Sequence, residues 1–227
     1  MDSRPETIRK SVEGSLKRLG TDYIDLYYQH RIDPQISPEE TAGTMVELIR
    51  EEKIRYWGIS EVNEEHLHCA HAVCPVTAIQ NRYSMMARWH EELFPGVEEL
   101  GITYVAFSSM ANGFLSGKYS QDSVFEKGID YRSNMPQYTE EGGEKGRELL
   151  ALLNGLAEEK KATSAQISLA WMLCKKPFII PIPGSRKTKR LKENFEAASV
   201  LLDREEIETI NKKLDGMALP VFGGHRS

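Results

Sequence analysis

At 227 residues and 40% hydrophobic content, the chain is long enough to bury a sizeable core, as one large domain or two small ones. A formal net charge of -5 argues against general nucleic-acid or anionic-membrane binding, so the expected partner is a small molecule rather than a nucleic acid or a membrane. There is no apolar run of ~18 residues and no charged-then-apolar leader, and the three cysteines, Cys69, Cys74 and Cys174, follow no disulfide-framework spacing; a cytoplasmic protein with reduced thiols is expected.

Ser3 and Glu6 predict a capping box for an opening helix whose apolar stripe is Ile8, Val12, Leu16 and Leu19, closed by Gly20. Tyr23 to His30 has the β-branched and aromatic content of a strand, with Ile24, Leu26, Tyr28 and His30 on one face and His30 at its carboxyl end. Ser37, Pro38 and Glu40 start a helix that buries Met45, Leu48 and Ile49, and a strand from Ile54 to Ser60 follows. Asn63 caps a helix running to Val73, Thr77 to Asn81 is a third strand, and His90 to Leu100 is a helix broken or delayed at Pro95-Gly96. Thr103 to Ser108 is the fourth strand. Residues 109–143 are rich in Gly, Ser, Asn, Pro and Tyr without sustained period, which fits a functional lid or binding loop, or disorder. Glu144 to Lys161 is a helix with Leu149, Leu150, Leu153 and Leu156 inward; Thr163 or Ser164 caps another containing Ile167, Leu169, Trp171 and Leu173. Asp203 and Glu206 box the last helix, which carries Ile207, Ile210 and Leu214 to Gly216, and the tail from Met217 is expected to be weakly ordered.

The stretch between these helices is the most distinctive. Phe178, Ile179, Ile180 and Ile182 form an apolar run suited to a parallel strand covered on both faces, ended by Pro183 and Gly184. Ser185 is expected to open a helix with Leu191 and Phe195 at helical spacing, so its free N–H groups and its cluster of Arg186, Lys187 and Arg190 face an anion. The same run also fits a solvated basic helix face. Five strands alternating with helices indicate a parallel sheet, doubly wound or rolled into a (β/α) barrel, and the absence of GxGxxG after the first strand counts against an open dinucleotide-binding sheet. A full barrel takes eight units in ~250 residues, so about five are present.

The segments SLKRLGTDYIDLYYQHRID, YWGISE, VAFSSMANGFLSGKY, DYRSNMPQY, AQISLAWML and IPIPGSRKTKRLKENF occur in this order, and with them the sequence resembles the aldo-keto reductase superfamily, in the bacterial branch that includes potassium-channel β-subunit-like members. The match spans essentially Ser3 to Gly216. The resemblance implies a (β/α)8 barrel, here the last five units of one, forming a single partial domain over residues 1–227 with a long cofactor and substrate loop at 109–143 and a C-terminal helix and tail at 203–227.

The activity it implies is reduction of aldehydes and ketones by hydride transfer from NADPH. His30 matches the family histidine that orients and polarises the substrate carbonyl. Ser60 and Gln80 match the positions that hydrogen-bond the nicotinamide carboxamide, and Phe107 the aromatic stacked on the nicotinamide ring. Ser108 and Met110, with Lys118 as a further candidate, fall in the loop along the pyrophosphate; Ser185, Arg186, Arg190 and Asn194 match positions holding the adenosine 2′-phosphate and adenine. The family's catalytic Asp, Tyr and Lys lie on units that would precede this chain's first helix, so the chain alone is expected to reduce little or no carbonyl. The alternative is a non-catalytic NADP(H)-binding module, or one part of a split barrel completed by an N-terminal chain or a homo-oligomer. Departures from the family pattern are Glu61 for Asn, Ser109-Met110-Ala111 for Pro-Leu-Gly and Gln137 for Arg.

His66, His68, Cys69, His71 and Cys74 point around one helix cylinder with no remote ligand pair, so no metal site is expected. Tyr27 and Tyr28 lack a neighbouring lysine, and a tyrosine with pKa near ~10 is a poor acid at neutral pH.

Overall fold

The structure, a computed structural model, describes residues 1–120 and 122–222. These residues form two compact units, the first from 1–81 and 92–105, the second from 82–91 and from 106 onward.

In the first unit, α1 (Pro5–Leu19) leads into β1 (Ile24–Gln29), α2 (Pro38–Arg50), β2 (Ile54–Ser60), α3 (Glu64–Val73) and β3 (Ala78–Arg82). Pro5 supplies the first helical residue of α1, where a missing N–H is harmless, and Gly20 ends the helix in the left-handed conformation with its N–H on the Leu16 carbonyl. The expected Ser3 capping box is not formed. Pro5 fixes the helix start at Arg4, which leaves Ser3 too far back; its hydroxyl instead accepts from Gln29 Nε2 and its N–H donates to the buried Asp33. Ser37 and Asn63 do cap α2 and α3, accepting from the N–H groups of Glu40 and His66. The sheet aligns Tyr28 with Gly58 and Ser60 with Gln80, all in parallel register. Its helix-covered side buries Trp57 and Ile59, with α2 packed on β2, whereas Tyr56, on the other side, is 57% exposed. The His90 to Leu100 expectation resolves into a 3-10 turn, Trp89–Leu93, and a short α4 (Phe94–Glu99) in whose first turn Pro95 sits. β4 (Thr103–Phe107) follows, its first residue bonded to Thr77.

The second unit takes in the last residues of β4, joined to β5 (Ile179–Pro181) through the Ile182 N–H and the Ala106 carbonyl. The strands run β1-β2-β3-β4-β5, in sequence order. A doubly wound sheet reverses order at a switch point, so this progression is that of an incomplete (β/α) barrel. Between β4 and β5 lie α5 (Glu140–Lys160) and α6 (Ser164–Lys175), and after them α7 (Thr188–Glu196) and α8 (Arg204–Asp215). α5 begins earlier than periodicity predicts because Thr139 accepts the Gly142 N–H, and because Gly142 and Gly146 let the helix close on the Pro136 carbonyl and the Phe114 ring. The 109–143 loop is packed: Phe114, Leu115, Met135 and Gln137 are buried, and three short 3-10 turns order it.

Other expectations shift. β5 is shorter than the run from Phe178, and only Ile179 is buried, with Ile180 51% and Ile182 46% exposed, so it is not covered on both faces. α7 starts at Thr188 rather than Ser185, because Ser185 Oγ turns back to accept the Lys187 N–H and closes a local turn. Neither Leu191 nor Phe195 is buried. The tail is held at Val221, which is buried, and at Phe222, whose N–H donates to Gln137 Oε1; residues 223–227 lie outside the described residues. The Asp203–Glu206 box is present in full.

In the second unit, Glu91 accepts from Tyr83, Arg88 and Lys175, and Arg88 also binds Asp215. This network, with Lys175 over the Trp171 ring, ties the 82–91 segment to α6 and α8.

A Cβ at Gly58 would stand 2.5 Å from the Tyr28 ring and 2.6 Å from the Ala78 carbonyl, between two neighbouring strands. Gly58→Ala is therefore expected to destabilise the protein by ~3 kcal/mol or abolish folding, as read by urea denaturation; an unchanged midpoint would refute the close approach.

Candidate active site

Parallel strands deliver their carboxyl ends to one edge of a sheet, and in a barrel the loops on that edge carry the chemistry. In the first unit this edge holds His30, Ser60 and Gln80. His30 is exposed just past β1. Ser60, 2% exposed at the end of β2, donates its hydroxyl proton to the Gln80 carbonyl at 2.9 Å, and the same carbonyl accepts the Glu61 N–H at 3.1 Å. Glu61 has φ 56°, a left-handed backbone unusual for a residue other than glycine. Burial pushes the Tyr28 phenol up; the Gln80 amide lies near enough to oppose this, yet outside hydrogen-bond geometry, and the hydroxyl stays unpartnered. That makes Tyr28 a poorer acid still.

In the second unit a cleft of about 890 Å3 opens between the loop after β4 and the turn after β5. It brings together Ser108, Met110, Ser185, Arg186, Arg190 and Asn194, the residues of this unit picked out from the sequence other than Phe107. Phe107 lies at the end of β4 with the Arg82 guanidinium 5.0 Å from its ring centre, and Arg82 also donates to Ser108 Oγ at 2.9 Å. The chain is bent hard here: Ser108, Ala111 and Asn112 have φ values of 54°, 46° and 60°. Non-glycine residues in this region collect where function requires a particular backbone course. Gly113, at φ 99°, completes the bend, and the Ala111 carbonyl accepts from buried Gln137 Nε2 at 3.3 Å.

The cleft holds residues that sequence reasoning passed over. The Arg132 guanidinium forks onto Asp130 and lies against both the Tyr119 and Phe125 rings, 4.5 and 4.6 Å from their centres. Arg132 and Arg190 together hold the Tyr119 phenol below its ordinary pKa, Arg132 contributing more. Lys118, already a candidate from the sequence, also lines the cleft and reaches Glu193, which accepts from Thr163 as well. DYRSN lies in an aperiodic stretch, so only the Asp-x-Arg pairing could have flagged Arg132. Among the described residues no three His, Cys, Asp or Glu side chains converge to hold a metal, and no helix is long and apolar enough to cross a membrane. His71 Nδ1 accepts the Val76 N–H, and His68 sits by Glu64.

The donor set suits a phosphate-bearing ligand. Arg186, Lys187 and Arg190 offer charge, and the hydroxyl of Ser109, a residue 1% exposed that lines the cleft, has no partner of its own. The volume is that of a pocket for a cofactor-sized molecule.

Arg132→Met is expected to raise the Tyr119 pKa towards the ordinary value of ~10, visible in an ultraviolet titration of the phenolate. A titration indistinguishable from that of the unaltered chain would mean that Arg132 does not act on the phenol.

The aldo/keto reductase family model matches residues 1–215. The aldo-keto reductase str7 of Strobilurus tenacellus is 39% identical over 220 residues, which is 95% of this chain and 65% of that protein. A probable aldo-keto reductase 1 of Glycine max is 37% identical over 211 residues, 92% of this chain and 60% of that protein. Among solved structures, the glycerol dehydrogenase AKR11B4 from Gluconobacter oxydans has a TM-score of 0.89 at 28% identity, with 100% of this chain and 69% of that one covered. The chain thus spans 60% to 65% of the length of these two curated relatives.

Proposed function

The chain belongs to the aldo/keto reductase family, and from that premise we propose that it supplies the cofactor-gripping part of a cytoplasmic, NADPH-dependent oxidoreductase acting on small aldehydes and ketones. The observation that carries the reading is the cleft, which gathers Ser185, Arg186, Arg190 and Asn194 opposite Ser108 and Met110. The arginines hold the 2′-phosphate of the adenosine, where a guanidinium matches phosphate oxygens with paired hydrogen bonds. Asn194 meets the adenine, and the bent backbone from Ser108 to Met110 lies along the pyrophosphate. The resemblance assigns Phe107 to the nicotinamide ring and, within the first unit, Ser60 with Gln80 to its carboxamide.

NADPH supplies the hydride. His30 positions the substrate by donating a ring N–H to the carbonyl oxygen, favouring the charge that develops there. By the resemblance, the proton comes from the family's Tyr, with its Lys and Asp, on barrel units that would precede α1. The 227-residue chain by itself therefore binds cofactor and turns over little substrate.

A second reading, that of a non-catalytic cofactor-binding or split-barrel chain, draws support from strand residues left open: Tyr56 on β2, and Ile180 with Ile182 at β5. Apolar strand surface of this kind invites covering strands, from a complementing N-terminal chain or a second copy. In either reading the cofactor grip is the same.

Calorimetric titration of the chain with NADPH, with NADH as the control lacking the 2′-phosphate, tests the proposal. NADPH is expected to bind ~10- to 100-fold more tightly, and Arg190→Met or Arg186→Met to erase most of that preference. A cofactor absorbance assay with small aldehydes should show no turnover from the chain alone. Absence of heat from both dinucleotides would overturn the grip, and turnover at ordinary enzyme rates would overturn the missing acid.

A further inference from the structure

We propose that Arg31 is a positioning residue that sets the hydrogen-bond direction of Ser60 and lays a permanent positive charge beside the nicotinamide carboxamide, so that the site favours the reduced cofactor over the oxidised one. The inference rests on the carboxamide role given to Ser60 above. Arg31 follows His30 beyond the end of β1, and its Nη1 donates both to the His30 carbonyl at 2.6 Å and to Ser60 Oγ at 3.0 Å. Ser60 passes its own proton to the Gln80 carbonyl at 2.9 Å. The guanidinium therefore links the ends of β1 and β2 directly, and that of β3 through Ser60.

A serine hydroxyl has one proton and two lone pairs. Here the proton is committed to Gln80 and one lone pair to Arg31, which has no acceptor capacity with which to reverse the bond. A single lone pair remains. Ser60 can accept from the NH2 of a carboxamide and cannot donate to its C=O, and with Ser60 2% exposed, bulk water does not reset that direction. The carboxamide orientation is thereby fixed from a residue that does not touch it.

The charge has a separate effect. A nicotinamide ring is cationic when oxidised and neutral when reduced, so a guanidinium held against the hydroxyl that grips the carboxamide repels only the oxidised form. Arg31 is half-buried, which leaves it partly screened, and a guanidinium stays charged throughout the working pH range. At this separation, with that screening, the expected bias is roughly fivefold in affinity.

Dissociation constants of NADP+ and NADPH, measured by calorimetry on the 227-residue chain, test this with Arg31→Met, Arg31→Gln, Arg31→Lys and Ser60→Ala. The neutral variants are expected to lower the ratio Kd(NADP+)/Kd(NADPH) about fivefold. Arg31→Lys keeps the charge and should keep the ratio within about twofold, and Ser60→Ala should weaken both forms together. If Arg31 only braces the fold, its neutral variants weaken both forms equally and the ratio does not move, which overturns the proposal. Circular dichroism identifies folded variants, and Arg31→Gln, which retains hydrogen-bond donors, serves should Arg31→Met unfold. An unmoved ratio in a chain that still binds cofactor sinks this inference alone; no binding of either dinucleotide by the unaltered chain removes the site reading and this inference with it.

Discussion

The parallel register of β2 between β1 and β3 is the constraint on which the first unit depends. It places Gly58 under the Tyr28 ring and Ser60 beside Gln80, so that a single backbone carbonyl, that of Gln80, receives both the Ser60 hydroxyl and the Glu61 N–H. A slip of one residue would turn Ser60 to the helix-covered side and bring Trp57 or Ile59 out of their burial beneath α2. Burial of those two side chains locks the register, and the register in turn sets which polar groups crowd the carboxyl edge. Core packing and site geometry are here the same fact seen from opposite sides of the sheet.

The second unit solves a different problem, that of holding a strongly bent backbone without glycine at every bend. Ser108, Ala111 and Asn112 take left-handed conformations, each unfavourable on its own by ~1 kcal/mol or more. They persist because their surroundings leave no alternative: Arg82 holds Ser108, Gln137 holds the Ala111 carbonyl, and Tyr138 donates to the Asn112 carbonyl. The loop after β4 is thus held in shape by its own contacts, with the basic turn after β5 across the cleft from it.

Strand and helix order was legible because it rests on local periodicity and on caps such as Ser37, Asn63 and Asp203, whose partners lie three residues away. Ser3 and Ser185 misled for one reason: each hydroxyl has a rival partner, remote Gln29 or neighbouring Lys187, and side-chain spacing does not rank such rivals. The start of α5 was hidden by Gly142 and Gly143, poor helix formers in isolation, and becomes explicable only with the Phe114 ring beside Gly146. In the site, the basic turn after β5 could be picked out by charge clustering. Arg31 and Tyr119 could not, since each takes its place from long-range contacts that leave no periodic trace; Arg132 left only its local pairing with Asp130 as a signal.

The Gln137 amide faces two ways, donating to the Ala111 carbonyl and accepting from the Phe222 N–H. An arginine could make the first bond but not the second, having no acceptor. The glutamine is thus a splint between the C-terminal segment and the bend that shapes the cleft. Docking of Val221 and Phe222 then becomes part of ligand-site order: fraying at that end would loosen the bend well before the α5–α6 core gave way.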